Sequence, residues 1–181
     1  VSVATPSNDH RLGANEAPPA IISVHLGDEL TSILECIEEN TVYDKIYDKK
    51  MEIGVDILPA FPKDTTDRNR TSPFAFTGNK FEFRMLGSSL SIACPNIMLN
   101  TIVAEELSLF ADELEKAEEL KPALAALIKK TIREHKRILF SGNGYTDEWV
   151  KEAEKRGLLN LKTTIDALPY YTSEKNIKLF T

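Results

Sequence analysis

The residues best suited to do chemistry lie in "DRNRTSPFAFTGNKFEFR", residues 67 to 84. Between residues 60 and 90, Lys63, Arg68, Arg70, Lys80 and Arg84 stand against Asp64, Asp67 and Glu82, a local balance of +2 in a chain whose net charge is -6. Like charges repel unless an anion joins them, and Arg offers a planar fork that matches carboxylate and phosphate oxygens. A lone carboxylate among such cations, Glu82, is suited to hold a divalent ion that bridges phosphate oxygens. These are the components of phosphoryl transfer, in which positioning and charge neutralisation do most of the catalysis. A solvated strand face is the plain alternative, because spacing by itself does not distinguish the two.

Other polar features carry less. "NDHRLGANEAPP" (8 to 19) holds Arg11 and Glu16 among turn formers; it reads as a surface loop, or as a lid bringing one cation and one carboxylate over a site. His10, His25 and His135 have no metal-ligand spacing and read as structural or exposed. "SGNG" (141 to 144) lacks the Walker lysine and follows a helical pattern, so it reads as a helix terminator and not a phosphate loop. Neither a Gly-x-Ser-x-Gly sequence nor a Cys and His pairing suggests nucleophilic catalysis.

Composition sets the frame for these residues. A chain of 181 residues, 42% hydrophobic and 28% charged, has the character of a globular protein with one good core. The acidic balance argues against a broad nucleic-acid surface, which needs net positive charge, while a compact anion site needs only a few cations. No apolar run reaches the roughly 20 residues that cross a bilayer, and the N-terminus lacks the pattern of a signal peptide, so the expected partners include neither nucleic acid nor membrane and the expected setting is cytoplasmic. Cys36 and Cys94, far apart and without CxxC spacing, are expected to be buried and reduced. The opening "VSVATPSNDHRLGANEAPPA" has no initiator Met and reads as loop, as if excised from something longer.

The elements that must position the charged stretch follow from periodicity. "AIISVHL" (20 to 26) suits a buried strand, and "GDELTSILECIEEN" places Leu30, Ile33, Leu34 and Ile37 at helical spacing. "EIGVDILP" (52 to 59) alternates as a strand that Pro59 ends. "FAFTGNKFEFRM" predicts a hairpin turning at Thr77, Gly78 and Asn79, where Gly and Asn can supply positive φ. Alternation puts Phe81 and Phe83 on a packed face and Lys80, Glu82 and Arg84 on the other.

From Pro95 the pattern becomes helical. Leu99, Ile102, Val103, Phe110, Leu114 and Ala117 mark a face that serves a core or a subunit contact, and Pro122 opens a second helix with Leu124, Leu127, Ile128 and Leu139 inward. Thr146 is expected to cap "DEWVKEAEKR", which Gly157 stops, and a last short helix follows Ser173. The predicted class is α+β, with a motif-bearing first part at 1–94 and a helical region at 95–181.

"NDHRLGANEAPP" together with "KDTTDRNRTSPFAFTGNKFEFR" resembles the glutamine synthetases, in the wording of their long bacterial type III branch, and the similarity runs over essentially the whole chain. The resemblance implies the C-terminal part of a catalytic domain built on a curved antiparallel sheet, from an enzyme that condenses glutamate with ammonia at the expense of ATP through γ-glutamyl phosphate. By resemblance, Arg11 binds the glutamate carboxylate, and Glu16 closes the site and takes a proton from ammonium. Arg70 likewise stabilises the phosphoryl group and contacts ATP, Lys80 stands where many members have an arginine near the ATP phosphates, Glu82 ligates Mg2+ or Mn2+, and Arg84 faces the substrate. Ala75 departs from the pattern, since other branches carry a nucleotide-contacting arginine there, and the loop from Arg11 to Glu16 is one residue shorter than in shorter-chain members.

The same resemblance implies a homo-oligomer with glutamate, ammonia and ATP as its partners. It also implies that further metal ligands, most of the nucleotide pocket and an N-terminal domain lie upstream of Val1, so this chain alone is expected to be inactive. Two other readings are a different carboxylate-amine ligase of the same superfamily and a noncatalytic helical interaction module.

Overall fold

A computed structural model describes residues 21–44, 50–51, 61–62, 71–84 and 91–180. The chain is α+β, with short strands before residue 84 and long helices after residue 92. β1 (Val24–His25) pairs in parallel with β4 (Phe74–Phe76), which pairs antiparallel with β5 (Phe81–Phe83), giving the order β1-β4-β5. β2 (Lys50–Met51) and β3 (Phe61–Pro62) form a separate antiparallel pair. The predicted strand at 52 to 59 lies outside the described residues.

α1 (Asp28–Glu39) forms where its four apolar residues recur at helical spacing. Gly27 starts it at φ 79 and Asn40 ends it at φ 57, where the Thr41 amide donates to the Cys36 carbonyl at 2.9 Å. A short polar side chain tolerates the left-handed region better than a branched one, so Asn40 closes the helix at little cost. α1 packs on α3 (Leu120–His135), and Lys136 Nζ reaches Glu38 at 2.7 Å.

The hairpin forms as predicted, with Gly78 at φ 90 and the Thr77 amide donating to the Lys80 carbonyl at 2.8 Å. Gly78 alone supplies the positive φ; Asn79 does not adopt it. Phe74, Phe76, Phe81 and Phe83 gather on one face, with Phe74 stacked on Phe81 at a centroid separation of 5.4 Å. On this aromatic face Phe81 is exposed, whereas Ala75, on the charged face beside Glu82, is fully buried.

The second half departs from a simple helical appendage. α2 (Ala93–Leu114) and α3 lie against each other, joined by Lys130 and Glu113 at 2.9 Å. Only part of the expected inward set is buried. Leu127 is in, Phe110 and Leu114 are half-buried, and Val103, Leu124 and Ile128 are exposed, as are Leu107 and Leu109. Apolar residues circle α2, so one neighbouring helix cannot cover them all. Cys94, in the first turn of α2, is exposed and Cys36 is half-buried; neither is in a disulfide. Around Cys94 the apolar Ile92 and Ile97 are themselves exposed, so a hydrophobic local sequence there does not translate into burial.

After α3, a 3-10 turn at Lys136–Ile138 brings the chain back to the sheet. Leu139 bridges in parallel to Val24, and the Phe140 amide donates to the Val24 carbonyl at 3.0 Å. α4 (Asp147–Lys155) begins at the expected cap, with the Trp149 amide donating to Thr146 Oγ1 at 3.3 Å, and ends before Gly157 at φ 66. α5 (Thr164–Tyr171) is unanticipated, although Thr163 and Asp166 form the reciprocal capping box that announces it. α6 (Glu174–Phe180) follows Ser173 as expected.

The main core joins the two halves: Ile21 from the approach to β1 meets Trp149 and Ala153 of α4, with Phe140, Val150 and Leu158 around them. Phe140 stacks on Trp149 with centroids 3.7 Å apart and planes 11° from parallel. Arg156 sits 5.5 Å above the indole, and its guanidinium also donates to the Leu139 carbonyl at 2.9 Å. Trp149→Ala removes both ring contacts and leaves a cavity, so it is expected to destabilise the chain by about 3–5 kcal/mol, read by chemical denaturation followed by circular dichroism.

Candidate functional site

Three of the six sequence-predicted site residues are brought together. Lys80, Glu82 and Arg84 project from one side of β5 and its end, as the two-residue period requires. Arg84 Nη2 donates to Glu82 Oε2 at 3.0 Å, and Lys80 Nζ lies 3.6 Å from Glu82 Oε1. Exposure of these side chains falls from 65% at Lys80 to 37% at Glu82 and 21% at Arg84, so the cluster runs from solvent toward the protein. Arg11, Glu16 and Arg70 lie outside the described residues.

Arg84 is oriented by more than its carboxylate partner. Its backbone amide donates to the Pro73 carbonyl at 2.7 Å and its Nη1 to the Ser72 carbonyl at 3.4 Å. Ser72 is buried, and its hydroxyl donates to the Phe74 carbonyl at 2.9 Å, which closes the turn into β4. The guanidinium is therefore presented from a built backbone corner, although its other partner, Glu82, is partly solvated.

The electrostatics follow from these contacts. The Arg84 hydrogen bond holds the Glu82 carboxyl below the ordinary glutamate range, with smaller help from the charges of Arg84 and Lys80 and a smaller opposing effect of burial. Glu82 is thus an anion at neutral pH, flanked by two cations that exceed its charge. Among the described residues the cluster therefore carries net positive charge, which suits an incoming anion.

In register, Glu82 lies across from Ala75, and Ala75 across from His25. Ala75 has no solvent exposure, so a long cationic side chain at that position could not be accommodated without opening the sheet. His25 is also buried, and its Nδ1 shares a hydrogen bond of 3.1 Å with the Ser141 hydroxyl, in keeping with a structural role; His135 is exposed beside Glu134. Among the described residues no group of three His, Cys, Asp or Glu could hold a metal ion. Glu82 has the hard oxygen chemistry for a divalent cation but fits it only as one ligand of a larger set, and both its oxygens are already engaged by Lys80 and Arg84. No described helix is long and apolar enough to cross a membrane.

Sequence reasoning missed the residues behind the cluster: Thr71, Ser72 and the loop 141–144. Thr71 Oγ1 donates to the Gly142 carbonyl at 3.3 Å and accepts from the Gly144 amide at 2.9 Å. Glycines at 142 and 144 were visible as a break, but nothing local indicates that the break lands on residue 71.

Residues 123–181 match the family "Glutamine synthetase C-terminal domain". Over 182 aligned residues the chain is 52% identical to the "Type-3 glutamine synthetase" of Dictyostelium discoideum, covering 99% of this chain and 25% of that protein. It is 48% identical to a "Glutamine synthetase" of Butyrivibrio fibrisolvens, covering 100% and 26%, and 41% identical to one of Bacteroides fragilis (strain YCH46), covering 97% and 25%. The chain belongs to the glutamine synthetase family. Its likeness to the type-3 protein extends along its whole length, and it spans about a quarter of the length of these relatives.

Because the Glu82 carboxyl is held low by Arg84, its ionic contribution to stability is present near neutral pH and is lost as pH falls through that lowered value. Arg84→Met is expected to move the Glu82 titration back toward the ordinary glutamate range, read by carbon-13 NMR of the labelled carboxyl.

Proposed function

We propose that the chain is the C-terminal part of a glutamine synthetase, in which the β5 cluster handles the anions of an ATP-dependent ligation. The observation that carries this reading is the arrangement of Lys80 and Arg84 on either side of Glu82, 3.6 and 3.0 Å from its oxygens, on a strand of a chain in this family. Residues 1–94 then belong to the catalytic domain and 95–181 form the helical region.

In this reaction a glutamate γ-carboxylate oxygen attacks the γ-phosphorus of ATP, the bond to the bridging oxygen breaks, and ADP leaves. Ammonia then attacks the acyl carbon of γ-glutamyl phosphate, and inorganic phosphate departs with the bonding electrons of the acyl–oxygen bond. Negative charge moves between three groups, and fixed cations stabilise it only if they need not reorganise at each step. Arg84 and Lys80 supply such charges, Arg84 toward glutamate and Lys80 toward the ATP phosphates.

Arg70 stabilises the phosphoryl group as it transfers and contacts ATP, and Arg11 binds the glutamate carboxylate. Glu16 closes the site, takes the proton that ammonium must lose, and excludes water that would hydrolyse the acyl phosphate. Glu82 serves as one ligand of Mg2+ or Mn2+, which when bound offsets phosphate charge; the remaining ligands come from the rest of a full-length protein. Such a protein is a homo-oligomer in the cytoplasm. A different carboxylate-amine ligase would share the cations and differ in its amine, so substrate profiling separates the two.

Glu82→Gln in the full-length protein is expected to lower kcat for ATP- and ammonium-dependent glutamine formation by about 10²-fold or more while the fold persists. Unchanged turnover would remove the enzymatic reading and favour a noncatalytic module. The 181-residue chain by itself is expected to form no glutamine in the same coupled assay, because Glu82 alone does not complete a metal site.

A further inference from the structure

The loop at 141–144 looks from sequence like a helix terminator, yet it holds a side chain of β1 and one of the turn that precedes β4. Ser141 Oγ meets His25 Nδ1 on β1, and Gly142 and Gly144 hold the Thr71 hydroxyl between a carbonyl acceptor and an amide donor. One hydroxyl used both ways fixes its rotamer and the direction of approach. The loop has little freedom to yield. A Cβ on Gly142 would stand 2.7 Å from the Phe140 ring, and that ring is stacked on the buried Trp149. Gly144 is buried, and Phe140 is tied to Val24 through its backbone.

Thr71 adjoins Ser72, whose carbonyl accepts from Arg84 Nη1. We propose that Thr71 is a positioning residue: clasped by the 141–144 loop, it sets the Ser72 carbonyl and thereby the direction in which Arg84 is presented beside Glu82. The helical C-terminal region thus reaches the cluster without contributing a side chain to it, through a relay of Gly142 and Gly144, Thr71, Ser72 and Arg84. The role assigned to Arg84 toward glutamate rests on the function proposed above; the clasp itself rests only on these contacts. Arg84 orientation draws on the 3.4 Å bond to Ser72 as well as on Glu82, so a shift of Ser72 changes the direction in which the guanidinium is presented.

The test uses Thr71→Val, which keeps the shape and deletes the hydroxyl, and Thr71→Ser, which keeps the hydroxyl, in the full-length protein. Hydrogen-deuterium exchange read by mass spectrometry without substrates is expected to show about fivefold faster exchange in residues 72–84 and 141–146 of Thr71→Val, the factor for one hydrogen bond of ordinary net strength, with Thr71→Ser close to wild type. In steady-state assays Thr71→Val is expected to raise KM for glutamate about tenfold with KM for ATP little changed, as loss of a supporting contact behind a binding group does. Unaltered exchange in 72–84, no rescue by Thr71→Ser, or altered exchange with an unaltered KM for glutamate would each overturn the proposal. Should Thr71→Val loosen the entire chain, the smaller Thr71→Ala decides: faster exchange confined to the two segments supports the clasp, and chain-wide loosening rejects it. Because exchange is measured without turnover, failure of the wild-type protein to make glutamine would reject the proposed function and leave the exchange result to judge the clasp.

Discussion

The joining of Leu139 and Phe140 to Val24 is the constraint on which the remaining structure depends. A strand pair as short as β4 and β5 is marginal in water unless something covers or extends it. β1 extends it on one side by a parallel pairing, which requires a long connection. Beyond β1, the segment leaving α3 adds a bridge and a backbone hydrogen bond. From that point the Phe140 ring is carried onto Trp149, and the core containing Ile21 closes. The helical region is therefore tied to the sheet through Leu139, Phe140 and the core around Trp149.

Ion pairs as exposed as Lys80 with Glu82 contribute little to stability, because water screens them and two long side chains must be held still. Their presence on a short strand needs another reason. The backbone corner behind Arg84, with Ser72 and Pro73 both buried and both accepting from it, is costly to build for a surface decoration. Preorganised cations are useful where charge is redistributed during a reaction, since their orientation is then settled before the substrate arrives. This physical logic is consistent with membership of the glutamine synthetase family and with the function proposed for the cluster.

Elements governed by local rules were legible in the sequence. The spacing in α1, the Thr146 cap, the stop at Gly157 and the hairpin around Gly78 all depend on residues within a few positions of each other, and each occurs where those rules put it. Alternation also separated the Phe face from the Lys80, Glu82 and Arg84 face. α5 carries a local signal as well, the Thr163 and Asp166 pair, although Pro169 interrupts its apolar pattern. Burial was less legible: Cys94, Val103, Leu124 and Ile128 lie in stretches of sequence rich in apolar residues yet are exposed, because burial depends on what lies opposite in space.

The amino-acid order by itself determined the chemistry available: which cations and carboxylate share a strand face, where helices start and stop, and, through long motifs, the family. Only the tertiary structure decided that Glu82 is held between Lys80 and Arg84, that the Arg84 guanidinium leans on Ser72, and that a loop some seventy residues away grips Thr71. The division has a simple cause. Local periodicity and capping are settled by neighbours along the chain, whereas a contact between distant segments appears only after the core between them has closed and its geometry has been paid for in chain entropy.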